Sequence, residues 1–239
     1  MSSPVNPSII FYTTQTPNGN KALILLEELS IPYHVHKHDF SAPTRNYEIY
    51  IWESGSVLKY LVERYDPEYR LWYPYGIREN YKLFSGLFFQ IGGIGPFQGH
   101  ATHFLRHVPE RIPYALDRYH KESRRLYSVL ETQLAQKRQG YIVGDKFTIV
   151  DFAFWSIAAT ATWAGVDSSE FPAVQKGYER ILQWPSVIRG MNVPEPNGVI
   201  ALAGEPDGTK IRKFEEFHRQ WVMDGMKEDA KALDAAKEN

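Results

Sequence analysis

Apolar and polar positions follow two different periods along this chain. Residues 9–12 form a β-branched and aromatic run, and the polar turn sequence Thr13-Thr14-Gln15-Thr16-Pro17-Asn18-Gly19 follows it, which predicts a strand and then a loop. Ala22, Leu23, Leu25, Leu26 and Leu29 then recur at helical spacing. Thr16 is placed to cap that helix, and Pro17 suits its first position. Past Ser30-Ile31-Pro32, the alternation Tyr33-His34-Val35-His36-Lys37-His38 predicts a second strand with one polar face. The opening pattern is β-α-β.

A third apolar run, Tyr47-Glu48-Ile49-Tyr50-Ile51, leads through Trp52-Glu53-Ser54-Gly55-Ser56 to a helix marked by Val57, Leu58, Leu61, Val62 and Tyr65 and closed by Asp66-Pro67. Strand signals then fade and the period stays helical through Leu182, so the chain changes class near residues 67–76 and continues all-α. Pro113 opens a long amphipathic helix on which Leu116, Tyr119, Leu126, Leu130 and Leu134 share a face. Thr148 and Asp151 are spaced to cap each other's amides, with Phe147 and Phe152 as the flanking staple; losing one partner should cost about 0.5 to 2 kcal/mol. Between Pro194 and Gly208 the chain is rich in proline, glycine and charge, and from Ile211 it reads as a charged amphipathic helix or tail. These changes divide the chain into residues 1–70, 76–205 and 206–239.

Composition narrows the chemistry. A chain of 239 residues that is 43% hydrophobic can bury a substantial core. A net charge of -1, from 27 basic and 28 acidic residues, gives no global field for nucleic acid or an anionic membrane. Cysteine is absent, which removes disulfides, thiolate metal sites and any sulfur nucleophile of the protein's own. Sulfur chemistry would need a borrowed thiol. The start, MSSPVNPSIIFY, lacks the features of a secretory signal, and no run approaches the ~20 apolar residues of a membrane span, so a soluble, cytoplasmic protein is expected.

The element order, the Glu53-Ser54 helix start and the Thr148-x-x-Asp151 box resemble a glutathione transferase over roughly residues 9–190. The segments Gln90-Ile91-Gly92-Gly93-Ile94-Gly95-Pro96-Phe97 and Pro109-Glu110-Arg111-Ile112-Pro113-Tyr114-Ala115-Leu116-Asp117-Arg118-Tyr119 are similar to the fungal nitrogen-regulator, prion-related class and its catalytic relatives. Thr16-Pro17-Asn18-Gly19 fits as well, since relatives place an Asn where other transferases use Ser, Tyr or Cys. The resemblance implies an α+β fold: a truncated thioredoxin-like N-terminal domain, residues 1–70, followed by an all-α C-terminal domain. It also implies glutathione as co-substrate, a small hydrophobic electrophile, a homodimer and a role in fungal secondary metabolism or detoxification. The alternative is a non-catalytic regulatory or ligand-binding protein of the same fold.

Asn18 at a helix amino end can donate to a thiolate that the helix dipole already favours. It is the candidate catalytic residue. Its plainer reading is an Asn-Gly turn. Glu53 and Ser54 are the candidate glutathione-binding pair: Ser54 suits a carboxylate and Glu53 an ammonium. Here the plainer reading is a helix cap, with Ser54 capping. Phe97, Phe104 and Trp163 are candidate pocket-lining residues, with core packing the plainer reading of each, joined by His100 or His103. The sets His34, His36, His38 and His100, His103, His107 lack a carboxylate at ligand spacing, so no metal is expected. Arg124-Arg125 reads as a charged helix face. Gly92-Gly93-x-Gly95 lacks the context of a phosphate loop and should let helices approach or bend.

One stretch departs from the family's pattern. Where the family has a helix and then a strand ending in a loop with a cis-proline, only residues 40–47 lie between Asp39 and Glu48, and Pro43 is the sole proline there. A crossover with its helix needs at least ~10 to 12 residues. The glutathione-binding half is therefore shortened between residues 39 and 48.

Overall fold

The computed structural model describes residues 9–37, 51–137, 139–198 and the single positions 216, 220, 224 and 227. The chain opens as the pattern predicts. Strand β1 (Ile9–Thr13) and strand β2 (Tyr33–Lys37) pair in parallel, from Ile9 opposite Tyr33 to Thr13 opposite Lys37, with helix α1 (Pro17–Glu28) between them. Thr16 caps α1 by accepting from the Gly19 amide at 3.2 Å, and Pro17 is the first helical residue. Gly19 is required there, because a Cβ would lie 2.2 Å from Thr13 Oγ1 and 3.0 Å from the Thr14 carbonyl. The strand end folds directly onto the first helical turn.

The expected strand at residues 47–51 lies outside the described residues except for Ile51, which is not in a strand. The shortened stretch at 39–48 and His38 also lie outside them. Of the charged C-terminal segment, positions 216, 220, 224 and 227 are helical and exposed, and Gln220 and Lys227 both donate to Asp224. That polar stripe matches one face of the expected helix.

Beyond β2, every further element among the described residues is helical. Helix α2 (Ser54–Tyr65) is followed by α3 (Arg78–Phe89), a π-helical turn (Gln90–Ile94), α4 (Gly95–Thr102) and a second π turn (His103–His107). Then come α5 (Pro113–Ala135), α6 (Ile149–Ala158), α7 (Pro172–Ile181) and α8 (Pro185–Met191). The fold is α+β, a reduced thioredoxin-like opening joined to an all-α half. The glycine pair at Gly92-Gly93 sits in the first π turn, where it widens one helical rod and does not simply bend it. Among the described residues no helix is long and apolar enough to cross a membrane.

Helix α1 is the joint. Residues 20–26 are all buried, because α2, α6 and α8 pack around the helix. Helix α8 comes close enough that a Cβ on Gly190 would lie 2.5 Å from the Ile24 nitrogen and 2.6 Å from its Cα. Polar contacts close the far end: Glu27 accepts from Tyr33 Oη and Arg189 Nε, both at 2.6 Å, and Glu28 accepts from Ser186 Oγ at 2.6 Å. Burial would raise the Glu27 carboxyl, but the bonds from Arg189 and Tyr33 outweigh it and hold the group below its ordinary value.

The centre of the helical half depends on Asp151. Its Oδ2 accepts from the Thr148 amide and hydroxyl, and its Oδ1 from the Ile142 amide, all at 2.9 Å. Thr148 and Asp151 form the expected capping box, and Phe147 and Phe152 lie tilted against each other with ring centroids 5.4 Å apart. Burial pushes the Asp151 carboxyl up to about 6, against the pull of these donors. The Ile142 bond is additional to the cap, so this residue also holds the loop before the helix. Asp66 does the same at the end of α2, accepting from the Arg70 amide at 3.1 Å and the Leu71 amide at 2.8 Å.

Asp151→Ala is expected to lower the unfolding free energy by about 2 to 4 kcal/mol, because two buried amides lose their acceptor. The measurement is the urea midpoint at constant slope, and a loss under about 0.5 kcal/mol would contradict the double role. Gly190→Ala should cost about 1 to 3 kcal/mol by forcing α8 off α1. Gly99→Ala is the control: nothing lies within 4 Å of the added carbon, so the change should be neutral or gain about 0.5 to 1 kcal/mol. Equal effects at the two glycines would refute the close approach.

Candidate functional site

The amino ends of α1 and α2 meet at one buried ammonium. Lys21, on the first turns of α1, is 1% exposed. Its Nζ donates to Asn18 Oδ1 at 2.9 Å and to Ser54 Oγ at 3.1 Å. Two residues singled out from sequence are thereby held together, although Ser54 lies 33 positions beyond Lys21. Burial lowers the Lys21 ammonium from 10.5 to about 8, and the negative charge of Glu53 opposes the fall. The corner combines a buried cation with two helix amino ends, a setting that favours anions.

The plainer reading of Glu53-Ser54 as a helix cap is corrected by the geometry. Ser54 is the first residue of α2, the cap position is Glu53, and neither side chain caps the helix. The Ser54 hydroxyl is engaged by Lys21 instead. The opening amides of α2 consequently have no side-chain acceptor at the cap. Glu53 has φ 67° and ψ 120°, a backbone conformation that costs a bulky residue on the order of 1–3 kcal/mol. It is exposed beside the ammonium. Gly55, the second residue of α2, has no room for a side chain, since a Cβ would lie 2.2 Å from Ile91 Cδ1. The first π turn thus presses Ile91 against the start of α2 and fixes its position.

In the helical half the candidate rings take the plainer reading, packing against their neighbours. Phe97 and Phe104 flank Tyr119 of α5, with centroids 6.1 and 5.3 Å away, and His100 joins them at 4.9 Å. Trp163 lies under the Arg106 guanidinium, 4.9 Å from it. These rings pack between helices. A cavity of about 400 Å³ in the same half is lined by Ala101, Leu105, Leu116, His120 and Gly165 among others, and not by Phe97, Phe104 or Trp163. His103 is held below its ordinary value by burial and by the charge of His100.

Among the described residues no group of three or more potential metal ligands gathers. His34 and His36 are exposed on β2, and His36 packs against Tyr12 with centroids 4.8 Å apart. Arg124 pairs with Glu170 and Arg125 with Glu122, the charged face expected for them. The residue that sequence reasoning missed is Lys21. Its signal was present: a lone lysine just before the apolar run Ala22-Leu23-Ile24-Leu25-Leu26 and three positions after Asn18. A lysine in that setting is almost never buried unless it has partners.

Comparisons with known proteins bear on the family and the fold. The family description "Glutathione S-transferase, C-terminal domain" matches residues 115–189. The chain is 31% identical over 203 residues to the disulfide-bond oxidoreductase YfcG of Escherichia coli, covering 74% of this chain and 92% of the relative. It is 30% identical over 212 residues to the glutathione S-transferase-like protein tpcF of Aspergillus fumigatus, covering 77% and 94%. Among solved structures, a glutathione transferase homolog from Lodderomyces elongisporus with two GSH per subunit superposes with a TM-score of 0.73 at 32% identity, over 80% of this chain and 100% of that one. The nitrogen regulation fragment of the yeast prion protein Ure2p gives 0.71 at 28% identity, over 80% and 98%. Sequence and fold lead to one assignment: the chain belongs to the glutathione S-transferase family.

Proposed function

We propose that the chain binds glutathione at the α1–α2 corner and delivers its thiolate to a small hydrophobic electrophile. The observation that carries this reading is the convergence of Asn18 and Ser54 on the Lys21 ammonium. Ser54 and the open amides of α2 suit the γ-glutamyl carboxylate, Glu53 suits its ammonium, and Asn18 suits the sulfur. A free thiol titrates at about 8.5, so each unit of depression favours the thiolate by about 1.36 kcal/mol. The sulfur lone pair then forms the new bond while the leaving group departs with its own pair. Glutathione is the co-substrate, and the chemistry proposed calls on no metal. Because the chain has no cysteine, the sulfur must come from glutathione.

The relatives support this setting. The Lodderomyces homolog is described with two GSH per subunit, and the Escherichia coli relative is named a disulfide-bond oxidoreductase, which makes a disulfide sulfur a second electrophile for the same thiolate. The likeness to fungal transferase-like proteins fits a cytoplasmic role in secondary metabolism or detoxification. A non-catalytic, regulatory role is the second reading, favoured by the likeness to the nitrogen regulation fragment. In either case residues 1–70 are the proposed glutathione-binding unit, residues 76–205 the helical unit and residues 206–239 a charged extension. We also place a homodimer contact on the outer face of α3, where Tyr81 is 65% and Phe88 67% exposed, since such apolar stripes mark association surfaces.

Calorimetry on the purified chain should detect glutathione binding, and Ser54→Ala should weaken it about 10- to 100-fold, the loss of one bond to a charged group. Asn18→Ala should leave binding within a few-fold but slow conjugation of an aromatic electrophile by about 10-fold for each unit of thiol pKa it restores. Absence of glutathione binding would sink the proposal. Binding without turnover of either electrophile class would favour the regulatory reading. Phe88→Glu is expected to shift the sedimentation of the chain from dimer to monomer, and an unchanged mass would remove α3 from the contact.

A further inference from the structure

We propose that Lys21 is the positioning residue of the thiol site: by donating to Asn18 Oδ1 and Ser54 Oγ at once, it turns the donors of both side chains outward and makes the corner select thiolate over thiol. The inference rests on the glutathione-binding reading and adds to it a residue and a selection rule.

An ammonium carries three N–H donors and no acceptor, so whatever faces it must present an oxygen. Side-chain amides are ordinarily ambiguous between their two ends, but here the 2.9 Å contact leaves only one assignment for Asn18. Oδ1 faces Lys21 and the NH₂ group faces away. The same holds for Ser54, whose oxygen accepts at 3.1 Å and whose hydroxyl proton is left to donate elsewhere. Both outward groups are therefore donors, Ser54 toward the γ-glutamyl carboxylate and Asn18 toward the sulfur. At the sulfur a thiolate accepts from the Asn18 NH₂ group, whereas a thiol offers its own proton and accepts only weakly.

The position also supplies charge. Burial leaves Lys21 easier to deprotonate than a surface lysine, at about 8, and Glu53 holds it up from the α2 side. The other elements packed on α1 direct their titratable groups elsewhere: Asp151 of α6 is bonded to Thr148 and Ile142, and Arg189 of α8 to Glu27. At neutral pH the described residues thus place one buried positive charge, Lys21, against the first turn of α1. An anion bound beside it and the ammonium stabilise each other, and the coupling is reciprocal.

Three measurements test this. First, ultraviolet absorption of the thiolate gives the pKa of bound glutathione in the wild-type chain, Lys21→Met and Lys21→Gln. Lys21→Met removes donor and charge and should return the thiol toward about 8.5, a change of about one unit or tenfold in thiolate. Lys21→Gln keeps an N–H donor for Asn18 without the charge and should fall between. Second, in the unmodified protein, NMR of labelled lysine side chains should show one lysine titrating at about 8 that rises further with glutathione than with S-methylglutathione, which has no ionisable thiol. Third, Lys21 loses its proton in the folded chain at about 8 and in the unfolded chain at about 10.5, so the unfolded state binds more protons between those values. Stability should rise with pH across that window in the wild type and not in Lys21→Met.

A wild-type chain that does not bind glutathione would overturn both the functional reading and this inference. If glutathione binds and Asn18→Ala raises the thiol pKa while Lys21→Met does not, the inference alone fails. Equal lysine shifts with the two ligands would overturn it as well, even if neither Lys21 variant folds.

Discussion

The structure depends on enclosing α1 on every side. A helix whose residues 20–26 are all buried must find partners around its whole circumference, and here they come from both halves: α2 from the first, α6 and α8 from the second. Apolar burial supplies the drive, but the close fit comes from two glycines. Gly19 admits the end of β1, and Gly190 admits the backbone of α1 against α8. Enclosure also dictates the chemistry at the amino end. A lysine carried into that interior needs partners, and those within reach are Asn18 and Ser54.

Much of this was legible where the cause is local. Thr16 and Pro17 marked the start of α1, Asp66-Pro67 the end of α2, and Thr148 with Asp151 the start of α6. In each case the residues that satisfy the backbone lie within a turn of the groups they satisfy. Asn18 and Ser54 were legible too, as helix starts with the right donors. Lys21 left only a partial signal, its place between Asn18 and the apolar run, because its second partner Ser54 belongs to another helix. The reading of Ser54 as a cap failed for the same reason. A hydroxyl one residue inside the helix was free to serve a neighbour that local rules do not see.

In the helical half, neighbouring rings decide between two readings. Phe97 and Phe104 are candidates for a pocket lining, with core packing the plainer reading, and in the structure they pack on Tyr119. The first π turn sets Ile91 against Gly55 at the start of α2. Through that apolar contact the helical half bears on the start of α2.

The two π turns, Gln90–Ile94 and His103–His107, have a consequence for how such a protein can vary. A π turn holds one residue more than the α-helical turn it replaces, and one residue corresponds to about 100° of rotation around the axis. The wider turn absorbs that rotation, so deleting a single residue from the first would close it to an α-helical turn and leave the helix beyond in nearly the same orientation. The rod can thus change length by one residue in one genetic step, while Asn18, Lys21 and Ser54 stay where α1 holds them.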